Sequence, residues 1–165
     1  MSLRKIFEDP EKLAPVLEAR RRSGAVLVFG NGCFELLHVG HVRFLYGAKA
    51  LGDVLVVAVN TDESMRAIKP DRRPVNNDYE RMELMAAFEP VDFVVPLRET
   101  NPERLIMLFR PDIHTKGTDY TLDRIPERTI VESYGGRVEL VGDLKRHSTT
   151  DMLRALRGGG QEHGS

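Results

Sequence analysis

The chain has 165 residues, with 24 Lys and Arg against 25 Asp and Glu and a formal net charge of −1. A domain of this length can bury roughly 70% of its unfolded surface, enough for a core without metals or disulfides. The even charge excludes a general polyanion or membrane-surface binder, which needs an excess of positive charge facing phosphates, and the single cysteine, Cys33, excludes an intrachain disulfide and a cysteine-based zinc cluster.

The chain start turns charged at Arg4 and Lys5 instead of entering an apolar run of about 7–15 residues, so it does not read as a secretory signal. The longest apolar stretch, Val54 to Val59, is far short of the roughly 18 residues of a membrane span. The expectation is a cytoplasmic protein with neither a membrane nor a nucleic acid as partner.

Asp9 followed by Pro10 is an N-cap with proline at the first helical position, opening an amphipathic helix toward Arg22 that closes near Gly24. A strand is expected over Ala25 to Phe29, then a helix over Val39 to Leu51 with Val42, Leu45, Ala48 and Leu51 at helical spacing. Val54 to Val59 is the second strand. Asn77 with Glu80 three residues on has the form of a capping box, and Met82, Leu84, Met85 and Phe88 follow it. Strands over Asp92 to Pro96, Asp112 to Thr115 and Arg137 to Val141 alternate with helices opened by Asn101-Pro102 and by Pro126, and a last helix runs from Ser148–Thr150 to about Leu156.

Short, β-branched strands with near-continuous apolarity, separated by helices, are the pattern of a parallel sheet covered on both faces. The fold expected is α/β, a Rossmann-like five-stranded parallel sheet flanked by helices on both faces. Residues 1–157 would form one domain, its N-terminal helix within 1–24 and its core over 25–157, and the Gly-rich 158–165 would be a disordered tail. In open parallel sheets ligands bind beyond the carboxyl ends of the strands, so function belongs in the loops after Phe29, Val59, Pro96, Thr115 and Val141.

The loop after the first strand reads Phe29-Gly30-Asn31-Gly32-Cys33-Phe34-Glu35-Leu36-Leu37-His38-Val39-Gly40-His41. Glycines let backbone amides approach a ligand, and two histidines three apart at a helix start project to one side with Gly40 leaving room between them. With the free amides of a helix N-terminus, this is an anion site. Zinc is the blander use of such a pair, but no adjacent acid or cysteine pair supports it. Nor do Gly30, Gly32 and Gly40 space as the dinucleotide fingerprint.

These residues resemble the signature of the cytidylyltransferase-like nucleotidyltransferases, most closely the adenylyltransferases that activate D-glycero-β-D-manno-heptose 1-phosphate for lipopolysaccharide and surface glycans. The resemblance continues in order through Val57 to Asp62, Arg72-Arg73-Pro74-Val75-Asn76, Lys116-Gly117-Thr118-Asp119-Tyr120-Thr121, Tyr134-Gly135-Gly136 and Ser148-Thr149-Thr150. It implies transfer of AMP from ATP to a sugar 1-phosphate with release of pyrophosphate, Mg²⁺ accompanying the triphosphate. A cytidylyltransferase for glycerol phosphate or another small phosphorylated alcohol is the rival enzyme, and a nucleotide-binding module without turnover the rival of another class.

By matching positions the resemblance implies catalytic roles for His38, His41, Lys69 and Lys116. It implies nucleotide binding by Gly30, Asn31, Gly32, Cys33, Phe34, Gly40, His41, Lys116, Asp119, Ser148, Thr149 and Thr150. Acceptor binding would fall to Glu35, Asn60, Asp62, Lys69, Arg73 and Arg81.

Plainer roles stand beside these. Asn60 and Asp62 compete with a helix cap by Thr61 or Asp62, Arg81 with an exposed helix charge, Arg72 and Arg73 with a solvated loop, and Ser148 with an ordinary N-cap. Cys33 reads as a small loop residue because no intermediate needs a thiol. Glu35, Pro70 and Arg146-His147 depart from the common family pattern of Asp, Gly and a directly preceding Arg. The family also implies a homodimer, with the first helix offered to the second subunit; many of its members carry a sugar kinase domain fused upstream, for which these 165 residues have no room, so a separate kinase is expected to supply the acceptor. The near-zero charge is then a sum in which positive groups at His38, His41, Lys69, Arg81 and Lys116 gather around one cleft.

Overall fold

The computed structural model describes residues 2–71 and 74–142. The five strands are β1 (Leu27–Gly32), β2 (Val54–Asn60), β3 (Phe93–Leu97), β4 (Ile113–Gly117) and β5 (Arg137–Val141), all parallel, in the order β3-β2-β1-β4-β5. The helices are α1 (Pro10–Arg22), α2 (Val39–Lys49), α3 (Asp62–Ile68), α4 (Asp78–Ala86), α5 (Glu103–Phe109) and α6 (Arg128–Ser133). This is the expected Rossmann-like α/β sheet with helices on both faces.

Strand β2 is buried along its whole length and serves two cores by alternation. Val54, Val56 and Ala58 point toward Leu13 and Leu17 of α1, Leu105, Ile106 and Phe109 of α5, and Val131 of α6. Leu55, Val57 and Val59 point the other way, toward Leu45 and Ala48 of α2 and Met82, Met85 and Ala86 of α4. Each such side chain contributes about 1.5–3 kcal/mol by leaving water.

The predicted caps hold. Asp9 accepts from the Glu11 amide, and Asn77 and Glu80 form the reciprocal capping box at the start of α4. The first helix departs from expectation in one respect: the apolar side offered to a second subunit is taken by the chain's own core, and Arg21 fastens the helix to the Phe109 and Arg110 carbonyls.

Winding proceeds outward from β1 through β2 to β3, then returns past β1 to β4 and β5. The reversal lies between β1 and β4, and the carboxyl ends of those two strands are where open α/β sheets bind their ligands. Both strands run further than expected. β1 continues through Asn31 and Gly32, and β4 through Lys116 and Gly117, because their partners β2 and β5 extend alongside and supply the ladder.

Candidate active site

The loop leaving β1 turns at Phe34, whose φ of 48° is the left-handed region that a bulky residue adopts at a cost. That turn lays the Phe34 ring over Gly32, where a Cβ would come within 3.2 Å of it, and edge-on to His41, with ring centroids 5.3 Å apart. Helix α2 begins immediately after His38, which is its N-cap in extended conformation, and places Gly40 and His41 in its first turn. The His38 and His41 rings stack at 3.9 Å.

The His38 backbone N–H donates to His41 Nδ1 at 3.4 Å. A ring nitrogen that accepts carries no proton, so Nδ1 is the acceptor here and Nε2 the nitrogen that can bear a proton. Gly30 lies inside β1, and a Cβ there would meet the Phe44 ring and Thr115 Oγ1 at 3.1 Å, so its missing side chain is explained first by sheet-to-helix packing.

Across the switch point, Lys116 is 8% exposed and Glu127, at the start of α6, is 5% exposed. The Lys116 ammonium donates to Asn31 Oδ1 at 3.0 Å and to Glu127 Oε1 at 3.4 Å, and lies 5.5 Å from the Tyr120 ring centroid. Burial pulls its pKa down from the ordinary lysine value, while the Glu127 carboxylate pushes back. Asp119 is exposed just beyond, its carboxylate 2.5 Å from where a Cβ on Gly117 would sit, so any other residue there would make the carboxylate swing aside. Beside Lys116 on β4, His114 is fully buried, and burial first and the ammonium second push its pKa down to about 3.

On the other side of the loop, Arg81 corrects the alternative of an exposed helix charge, for its side chain is wholly buried. It donates to the Cys33 carbonyl at 2.5 Å, to Asp62 Oδ1 at 2.7 Å and to the Asn76 carbonyl at 3.2 Å. Asp62 is the first residue of α3, whose cap is Thr61, accepting from the Ser64 amide at 3.2 Å. Asn60 ends β2, buried, bonded to Ser64 and within 3.8 Å of the Cys33 sulfur. Glu35 is buried in the loop.

An arc of contacts thus joins Lys116, Asn31, Cys33, Asn60, Arg81 and Asp62 around the end of β1. Lys69 stands apart as the C-cap of α3, with its backbone amide bonded to Met65. Arg72, Arg73, Arg146, His147, the Ser148-Thr149-Thr150 run and the last helix lie outside the described residues. Glu127 is the participant that sequence reading passes over: it lies eleven residues from its partner and belongs to no local motif. Among the described residues no three His, Cys, Asp or Glu converge to hold a metal, and no helix is long and apolar enough to cross a membrane.

The family described as Cytidylyltransferase-like matches residues 29–154. The bifunctional protein HldE of Geotalea uraniireducens (strain Rf4) is 46% identical over 153 residues, which is 93% of this chain and 31% of that protein. HldE of Syntrophotalea carbinolica is 47% identical over 146 residues, 88% of this chain and 30% of the relative. The chain therefore spans about a third of these relatives. A crystal structure of the lipopolysaccharide core biosynthesis protein from Thermoplasma volcanium GSS1 superposes with a TM-score of 0.63 at 27% identity, covering 74% of this chain and 100% of that one. With the family match running from within β1 past the end of β5, the chain belongs to the cytidylyltransferase-like family.

Proposed function

We propose that the chain is an adenylyltransferase that joins AMP from ATP to D-glycero-β-D-manno-heptose 1-phosphate, releasing pyrophosphate and giving ADP-heptose. The observation that carries nucleotidyl transfer is the pair of stacked imidazoles opening α2 across the switch point from the buried ammonium of Lys116. The acceptor rests on the ordered motifs and on kinship with the HldE proteins and a lipopolysaccharide core protein.

The chemistry asks little of a base. A phosphate monoester has a second pKa of about 6, so the attacking oxygen is already ionised at neutral pH. What remains is to align two polyanions and balance the charge that grows on the α-phosphate and the leaving pyrophosphate. His41 Nε2–H, His38 and Lys116 would donate to the phosphates, the first-turn amides of α2 would face them, and Lys69 would reach them from the end of α3. Gly30, Asn31, Gly32, Cys33, Phe34, Gly40 and Asp119 would line the nucleotide side with Ser148, Thr149 and Thr150. Glu35, Asn60, Asp62 and Arg73 would stand toward the acceptor, with Arg81 behind them holding Asp62.

Cleft donors are mostly nitrogen, whereas Mg²⁺ takes oxygen, so the ion belongs with the triphosphate of MgATP as substrate. There it screens the phosphate charge. The reading extends to a cytoplasmic homodimer built from one catalytic domain over residues 1–157, fed by a separate sugar kinase.

The test is pyrophosphate release with ATP and CTP side by side against a panel of sugar and polyol phosphates. Turnover with ATP and heptose 1-phosphate is expected. CTP preference with glycerol phosphate would establish the rival enzyme, and tight nucleotide binding with no turnover on any acceptor would establish a binding module.

A further inference from the structure

The geometry points to Glu127 as the positioning residue of this site, the group that holds Lys116 in place and charged for the phosphates of the nucleotide; the inference rests on the proposed nucleotidyl transfer. An ammonium has three N–H donors. Among the described residues, Asn31 Oδ1 and Glu127 Oε1 take two of them at 3.0 and 3.4 Å, which leaves one for a ligand.

Glu127 can do this because its backbone is held. Its carbonyl accepts from the Val131 amide to start α6, and Ile125 two residues earlier is anchored in the core. The carboxylate is thereby presented to β4 from a fixed point and reaches a lysine that is itself part of the sheet ladder. Asn31 could orient the ammonium alone, but it is neutral and cannot keep it charged.

Burial favours the uncharged amine, and His114 on the same face of β4 is buried and carries no compensating charge near neutral pH. The acids that face Lys116 are Glu127 and, more weakly and from the exposed loop, Asp119. Of these, only Glu127 combines burial with an ion pair, so the protonation of Lys116 depends on it. Among the described residues the second oxygen, Oε2, is buried without a hydrogen-bond partner. A carboxylate kept half unsatisfied in the interior is costly, and its pairing with Lys116 is the compensation the structure offers.

The experiment follows the Lys116 side-chain nitrogen by NMR on ¹⁵N-lysine-labelled protein without substrate, assigned with K116R, in the parent and in E127Q. Glutamine keeps the size and one acceptor oxygen but not the charge. The titration midpoint of Lys116 is expected to fall by about one pH unit or more in E127Q. The alkaline limb of kcat should fall with it, while KM for ATP changes less than kcat. An E127Q protein that folds and titrates at the parent midpoint overturns the proposal.

Should E127Q alone fail to fold, K116M/E127Q leaves no buried ion unpaired and is expected to fold; its failure as well would make Glu127 structural and overturn the proposal. Where both variants fold, E127Q is expected to cost no further activity in the K116M background, and additive losses would count against it. Because the titration needs no substrate, a lowered midpoint in a protein inactive on every acceptor would uphold the pair and sink the proposed function instead.

Discussion

Two buried cations flank the end of β1, and they are buried for different reasons. Arg81 has no exposed side chain and gives three of its five donors to two backbone carbonyls and Asp62, tying the loop at Cys33 and the segment at Asn76 to the start of α3. Lys116 keeps a little exposure, is pulled toward neutrality by burial, and has a donor left over at the point where the winding reverses. Burial of a charge therefore does not by itself mark a reacting group. What separates the two is whether any of the side chain still reaches solvent and where in the sheet it faces.

Substitution can break this comparison from either end. The largest effect is expected at the phosphate donors. K116M and H41A should each lower kcat by about 10²–10³-fold, the loss of one preorganised donor; the denaturant midpoint of H41A should stay near the parent, whereas K116M, which strands the buried Glu127 carboxylate, should also lose stability. An active K116M would remove Lys116 from the site. The opposite split is expected for R81M, where stability should fall by about 3 kcal/mol in urea unfolding because carbonyls and Asp62 lose a buried partner. If R81M instead folds as stably as the parent and raises only the acceptor KM, the arginine serves the acceptor and not the loop.

A smaller effect, on pH dependence, sharpens the account of the sheet between these groups. His114 titrates near 6.5 when unfolded and at about 3 in the fold, so between those values the unfolded chain binds the extra proton. The native state has its full stability from this group above pH 6.5 and loses it as pH falls toward 3. Between pH 7 and 5 the loss is about 2 kcal/mol. H114L should remove that part of the slope in urea unfolding at the two pH values; an unchanged slope would mean the ring is not held neutral.

Much of the fold is legible in the sequence because its signals are local. Continuous apolar strands, Asp9-Pro10 and the Asn77–Glu80 box all act over a few residues. Helix α3 is missed because its seven residues bury only Ser64 and Met65, too few to display a period, and its one signal is the Thr61 cap. Arg81 could have been placed: it shares the buried stripe of α4 with Met82, Met85 and Ala86, and spacing outweighs its charge. The histidine loop is legible because one contiguous stretch contains strand end, glycine, both imidazoles and helix start. Its braces are not. The Cys33 carbonyl and Arg81 are 48 residues apart, and only the folded chain brings them together.

The most direct test of the central claim is the fate of label from ATP incubated with Mg²⁺, heptose 1-phosphate and the protein. Adenylyl transfer predicts that ³²P from the α-position appears in a sugar nucleotide while ³²P from the γ-position appears only in pyrophosphate. Label from the γ-position in the sugar product, or no α-label in it, would contradict the account.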